Sequence, residues 1–128
     1  MTAVVDASAV MALMLGEPGA DVVMQIIRGS RMSAVNISEC CARGVERGAC
    51  PADVMTILDA YEIDIVGFDL PFAIEAARLR EPTRQQGASL GDRACLALAS
   101  TLGLPVYTGD RRLADIDPAL GIDVHLIR

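Results

Sequence analysis

Lysine is absent from this chain: all 11 basic residues are arginine. A phosphate-binding loop of the Gly-x-x-x-x-Gly-Lys type is therefore excluded, because its chemistry needs the lysine ammonium. Schiff-base catalysis is excluded for the same reason. The four cysteines, at 40, 41, 50 and 95, form no C-x-x-C pair, which argues against a zinc knuckle or a thioredoxin-like motif. In a reducing compartment they read as small core residues. No apolar run reaches the roughly 18 residues that a membrane-spanning helix needs. Met1-Thr2 leads directly into Ala3-Val4-Val5 without a basic n-region, so no signal peptide and a cytoplasmic location are expected. Internal repeats, linkers and low-complexity stretches are also missing.

What remains is the composition of a folded protein. Hydrophobic residues make up 52% and charged residues 22% of 128 residues, enough for one domain over 1–128 with a proper core. The net charge of −6 argues against loose electrostatic coating of nucleic acid. The charge is uneven, however. Arg78, Arg80, Arg84, Arg93, Arg111 and Arg112 stand against only Glu81, Asp92 and Asp110 in that segment, a local +3 that leaves −9 elsewhere. Those arginines are either a basic surface or ordinary solvated helix residues.

The order of elements is mostly strand, helix, strand, helix. Ala3-Val4-Val5 reads as a buried parallel strand ended by Asp6. Ser8 is placed to cap a helix over Ala9–Leu15 that is apolar nearly all round, so it is either deeply buried or covered by a partner. A helix over Ala20–Arg28 and a strand at Met32–Val35 follow. Asn36-Ile37-Ser38-Glu39 opens the next helix, with Ile37, Cys40, Cys41, Gly44 and Val45 on one face and Glu39 on the other. Further expectations are helices over Pro51–Tyr61 and Leu70–Arg80, strands at Asp64–Phe68 and Leu104–Tyr107, a short helix through Arg111–Asp115 and an edge strand at Ile122–Ile127. Residues 81–87 read as a loop. The lone His125 reads as a surface strand residue. The alternation predicts an α/β fold with a mostly parallel sheet of four to five strands and helices on both faces.

Ser89–Leu102 carries the most informative pattern. Cys95, Leu96, Leu98, Ala99 and Leu102 recur at helical spacing, and Gly103 stops the run. Asp92 shares that apolar face, where an unpaired carboxylate is unfavourable. It is either half of a Ser89-x-x-Asp92 capping box or a functional acid. Glu39 has similar alternatives, a capping box with Asn36 or a pair with Arg43 at i+4. Asp110 reads equally as a helix cap. Yet Asp6 ends a strand, Asp110 lies just past another, and Glu39 and Asp92 open helices. In a parallel sheet these positions meet at one edge. Four crowded acids repel unless a cation lies between them. Oxygen ligands with no nearby histidine or cysteine point to Mg²⁺ or Mn²⁺ rather than zinc. The chemistry such a centre suits is phosphodiester hydrolysis.

Val4-Val5-Asp6-Ala7-Ser8-Ala9, Asn36-Ile37-Ser38-Glu39, Leu90-Gly91-Asp92-Arg93-Ala94-Cys95-Leu96-Ala97-Leu98-Ala99 and Val106-Tyr107-Thr108-Gly109-Asp110-Arg111-Arg112-Leu113 resemble, in order, the motifs of PIN-domain ribonucleases. More narrowly they resemble VapC-type toxins of toxin–antitoxin pairs. The resemblance covers nearly the whole chain, and the ordered set is what makes it specific. It implies a single PIN-like domain and a Mg²⁺- or Mn²⁺-dependent endoribonuclease. By the same resemblance Asp6 and Asp92 are metal ligands, Asp110 completes or water-bridges the metal site, and Glu39 holds metal or orients the attacking water. Ser8 and Thr108 would hydrogen-bond the carboxylates or a phosphate. Arg93, Arg111 and Arg112 would guide RNA phosphates, with Asp115 a weaker member of the acidic cluster. An antitoxin partner and a homodimer are also implied. The antitoxin gives the Ala9–Leu15 helix and the Met11, Met14, Met24 set a second reading as part of a docking groove.

Three other readings compete. A phosphatase with an aspartyl nucleophile usually carries Asp-x-Asp, and here the second position is Ser8. A receiver domain needs the missing lysine. A binding module whose acidic edge docks an arginine-rich partner is the non-enzymatic alternative, and metal-dependent turnover separates it from a nuclease.

Overall fold

The computed structural model of the chain describes residues 2–128. Its centre is β1 (Val4–Val5), a strand buried on both faces. Val4 packs on one side of the sheet with Leu96, Leu98, Val106 and Leu113, and Val5 packs on the other with Val10, Val23, Ile27, Met32 and Leu58. Alternation along a pleated strand sends two adjacent valines into two different cores. Around β1 lie β2 (Arg31–Ser33), β3 (Asp64–Val66), β4 (Val106–Thr108) and β5 (Val124–Leu126), in the order β3-β2-β1-β4-β5 with every pair parallel. The chain grows outward from β1 in one direction through β2 and β3. It then returns to the other side of β1 for β4 and β5. The β1/β4 junction is thus the switch point, where open α/β sheets leave a crevice beyond the strand ends.

Six helices cover the sheet among the described residues: α1 (Ala7–Leu15), α2 (Ala20–Ile26), α3 (Ala34–Glu46), α4 (Pro51–Ala60), α5 (Leu70–Arg78) and α6 (Leu90–Leu102). Short 3₁₀ turns occupy Arg84–Gln86, Arg111–Asp115 and Pro118–Leu120. The α/β class, the parallel sheet and the five strands agree with the sequence expectation. β5 forms the edge of the sheet beside β4.

Several starts and ends move. α1 begins at Ala7, because the Asp6 carboxylate, not Ser8, caps it by accepting from the Ala9 N–H. α3 begins at Ala34, because the Ser33 hydroxyl captures the Val35 N–H and ends β2 early. Asn36 therefore lies inside the first turn and Glu39 in the second. Ser89 and Asp92 do form the reciprocal capping box of α6, and Gly103 ends that helix at φ 66°, a left-handed position that suits glycine. Cys40 and Cys95 are buried and Cys41 is half-buried, but Cys50 is exposed, at the cap of α4.

α1 is a core helix: Ala9 to Leu13 are all buried, and Met14 packs against the same cluster. Met24 is exposed on α2. Among the described residues no single helix is long and apolar enough to cross a membrane. α1 and α2 together have the composition, but they are bent by 111° at their junction.

Candidate active site

The carboxyl edge of the sheet opens into a cleft of about 430 Å³ at the β1/β4 switch point. Asp6 forms its floor, Glu39 and Asn36 come from α3, Asp92 from the first turn of α6, and Asp110 from just past β4. The four acids are 33, 53 and 18 residues apart in successive steps, and the sheet topology alone brings them together.

Asp6 is only 5% exposed, and three donors hold it. Oδ1 accepts from the Ser8 hydroxyl at 2.6 Å and from the Ala9 N–H at 3.0 Å, while Oδ2 accepts from the Thr108 hydroxyl. A carboxylate has about four lone-pair positions, so Oδ2 retains one. The holding hydroxyls are themselves fixed. Ser8 Oγ accepts from the Gly109 N–H at 2.8 Å, and Thr108 Oγ1 accepts from the Asp110 N–H at 3.0 Å. Burial pushes the Asp6 carboxyl above its ordinary value. The three hydrogen bonds oppose this, and the negative charge of Asp92 adds to it.

Glu39 is raised as well, first by partial desolvation and then by Asp92 and Asp6, against a 2.7 Å hydrogen bond that Asn36 Nδ2 donates to its Oε1. Asp92 spends Oδ2 on the Ser89 N–H at 2.9 Å. Asp110 differs from the other three. Arg112 grips both its oxygens, Nη2 to Oδ2 at 2.6 Å and Nε to Oδ1 at 3.1 Å, and holds its carboxyl below the ordinary value. Arg112 Nη2 also lies 3.7 Å from Asp92. Contrary to the sequence expectation, two cysteines lie close to these acids, but burial pushes the Cys40 thiol up to about 12 and the Cys95 thiol upward as well, which keeps both protonated. The donor set is thus all oxygen, which suits a hard divalent cation. Among the described residues, no three histidine, cysteine, aspartate or glutamate side chains are already gathered as a closed metal cage. The fit is to an open site in which few carboxylates hold the ion and water completes its shell, as Mg²⁺ prefers.

Residues 3–118 match the family model described as PIN domain. The ribonuclease VapC42 of Mycobacterium tuberculosis is 36% identical over 128 residues, which span 91% of this chain and 98% of that protein. The chain belongs to the PIN-domain family, among the VapC ribonucleases. Solved structures share the fold. A toxin–antitoxin complex from Klebsiella pneumoniae superposes with a TM-score of 0.76 at 17% identity, covering 98% of each chain. The sarcin–ricin loop cleaving toxin VapC20 of Mycobacterium tuberculosis superposes with a TM-score of 0.73 at 16% identity, covering 91% of this chain and 97% of that one.

Within this PIN domain the expected site residues are distributed unequally. Asp6, Ser8, Glu39, Asp92 and Asp110 all line the cleft. Thr108 is fully buried behind Asp6, where it holds the carboxylate and cannot face a phosphate. Arg112 lies over Asp110 and outside the cleft wall, with Nη1 donating to the Gln86 carbonyl. Arg93 turns away from the cleft, and its Nη1 donates to the Ala76 carbonyl of α5 at 3.0 Å. Asp115 is exposed in a different depression, beside Gln86. His125 stacks on Tyr107 with ring centroids 4.9 Å apart and pairs with Asp123, as a surface strand residue would.

Sequence reasoning missed four polar cleft residues, Glu17, Asn36, Arg43 and Arg128. Asn36 is buried and touches both Glu39 and the Gly91 carbonyl. Arg43 and Arg128 stand at the rim, and neither forms an ion pair among the described residues. Arg43, one turn beyond Glu39, carried a readable signal. Arg128 did not, because its guanidinium is placed by the Pro18 carbonyl, 110 positions away.

Proposed function

We propose that this chain is a metal-dependent endoribonuclease and the toxin of a toxin–antitoxin pair. It hydrolyses RNA phosphodiester bonds in the cleft of Asp6, Glu39, Asp92 and Asp110. The observation that carries the reading is the convergence of Asp6, Glu39, Asp92 and Asp110 on one cleft at the carboxyl edge of the sheet, where the charge of Asp92 adds to the burial that raises Asp6 and Glu39. Such a cluster is unfavourable for the fold and is explained by a cationic ligand.

Asp6 and Asp92 are the residues that would hold Mg²⁺ or Mn²⁺, joined by Asp110 once Arg112 releases it. A divalent ion supplies charge for a phosphoryl oxygen and acidifies a bound water. Glu39 keeps Oε2 free while Asn36 occupies Oε1, which leaves one oxygen to orient a water and take its proton. Desolvation raises its carboxyl above the ordinary value, which makes the ionised form a stronger proton acceptor. Ser8 and Thr108 fix the Asp6 carboxylate. Arg43 and Arg128 at the rim face the phosphates on either side of the cut, a placement that a net charge of −6 makes selective and not a general coating.

The antitoxin partner is supported by the shared fold with the Klebsiella pneumoniae toxin–antitoxin complex and by an acidic cleft complementary to an arginine or lysine side chain. A homodimer is supported by the apolar outer face of α5, where Leu70 is 71% and Ile74 45% exposed. Cellular RNA as the proposed substrate is consistent with a cytoplasmic location.

The test is cleavage of a total tRNA and rRNA pool by antitoxin-free protein with Mg²⁺, with Mn²⁺ and with EDTA, beside Asp6→Asn. The proposal expects discrete fragments that need metal and vanish in the variant. Cleavage that survives both EDTA and the variant would refute it.

A further inference from the structure

Gly91 is the second residue of α6, a position where glycine is a poor helix former. Glycine is required in a helix either for its backbone angles or for space. Its φ does not lie in the left-handed region, so angles are not the reason. Space is. A Cβ at this position would lie 2.5 Å from Glu39 Oε1 and 2.6 Å from both Cδ and Oε2. All three atoms belong to the tip of one flexible side chain, and no backbone atom is among them. A methyl group here would move the carboxylate and leave the helix packing intact. Asn36 closes the arrangement from the other side. It is 1% exposed, and its Nδ2 donates to Glu39 Oε1 at 2.7 Å and to the Gly91 carbonyl at 3.1 Å. One amide thus ties the carboxylate to the backbone against which it rests.

We propose that Gly91, working with Asn36, is a positioning residue: the missing side chain on α6 lets the Glu39 carboxylate rest against the helix start beside Asp92. The inference rests on the catalytic reading of Glu39. It assigns to Gly91 no contact with RNA or metal. Its effect reaches the reaction only through where Glu39 sits.

The experiment compares wild type, Gly91→Ala, Glu39→Asp, Gly91→Ala/Glu39→Asp and Glu39→Gln. Each is assayed on the total tRNA and rRNA pool at saturating and limiting RNA, with thermal melts in parallel. Misplacing a catalytic group by about 1 Å lowers rates by roughly 100-fold, so Gly91→Ala is expected to lose about 10- to 100-fold in the saturating rate. The half-saturating RNA concentration stays unchanged, and Tm is unchanged or higher. Aspartate is one methylene shorter and clears the new methyl group, so adding Gly91→Ala to Glu39→Asp costs less than about twofold. Three results overturn the inference: wild-type rate in Gly91→Ala, a rate loss that tracks a lower Tm, or losses that multiply in the double variant. Full activity in Glu39→Gln would instead remove the role of Glu39 itself, a failure distinct from that of Gly91.

Discussion

Replacing Asp6 by asparagine should make the protein more stable while abolishing its activity. The ionised Asp6 is buried, and although three donors satisfy it, burial and Asp92 leave its carboxyl raised above the ordinary value. Its charged form is therefore less favourable in the folded protein than in the unfolded chain. The sign follows from linkage. A carboxyl raised on folding stabilises the fold fully below its unfolded value near 3.9, and that contribution is lost as pH climbs through the folded value. Asparagine carries no charge, so it escapes the loss. It also fits the existing hydrogen bonds: the amide oxygen accepts from Ser8 and Ala9, and the amide nitrogen donates to Thr108 Oγ1 once that hydroxyl turns. Relief of a strained functional site commonly yields about 0.5–2 kcal/mol. For a chain of this length that raises Tm by roughly 2–8 °C. The assay is thermal or urea unfolding in EDTA from pH 3 to 8, with EDTA essential because a bound cation would stabilise only the wild type. The gain should be absent near pH 3 and full near pH 8. A variant less stable than wild type at pH 8, or a gain independent of pH, would refute the reasoning.

Three further outcomes are expected. Arg43→Ala and Arg128→Ala should raise the RNA concentration needed for half-maximal cleavage and flatten its dependence on salt, each by about one phosphate contact, with the saturating rate nearly unchanged. Arg112→Ala should let the Asp110 carboxyl rise toward its ordinary value, read by carbon-13 NMR titration, with a stability change under about 1 kcal/mol because the Arg112 end of the pair is open to solvent. Arg93→Ala should cost about 1–2 kcal/mol in urea unfolding through loss of its bond to the Ala76 carbonyl and of its packing between α5 and α6, while the saturating cleavage rate is preserved.

The parts of this molecule that could be read from the chain are those decided locally. Ser89 and Asp92 are three residues apart, and their capping box is visible in the sequence and present in the fold. The parallel sheet follows from short apolar runs such as Val4-Val5 alternating with amphipathic helices. The four acids could be assigned to one edge because a parallel sheet sends every strand end the same way. What the sequence left open is decided by contacts across the chain. Asp6 won the α1 cap from Ser8 because Ser8 is drawn to Gly109, 101 positions away. Ser33 took the α3 cap from Asn36, which turned to Gly91, 55 positions away. The family resemblance made Arg93 a phosphate guide, but the residue after Asp92 on a helix points about 100° around, here toward α5. The clamp on Glu39 was invisible because a glycine shows only as an absence until the neighbouring helix is in place.

Direct Mn²⁺ binding, set against the Mn²⁺ dependence of RNA cleavage, tests most closely whether one acidic cleft both holds the metal and performs the hydrolysis. Binding is read by electron paramagnetic resonance and cleavage by the initial rate on the tRNA and rRNA pool, for wild type and Asp92→Asn. The account predicts one shared dissociation constant in the wild type and a parallel weakening of both in the variant. Tight Mn²⁺ binding that Asp92→Asn leaves untouched, or cleavage that proceeds at full rate before metal binds, would contradict it.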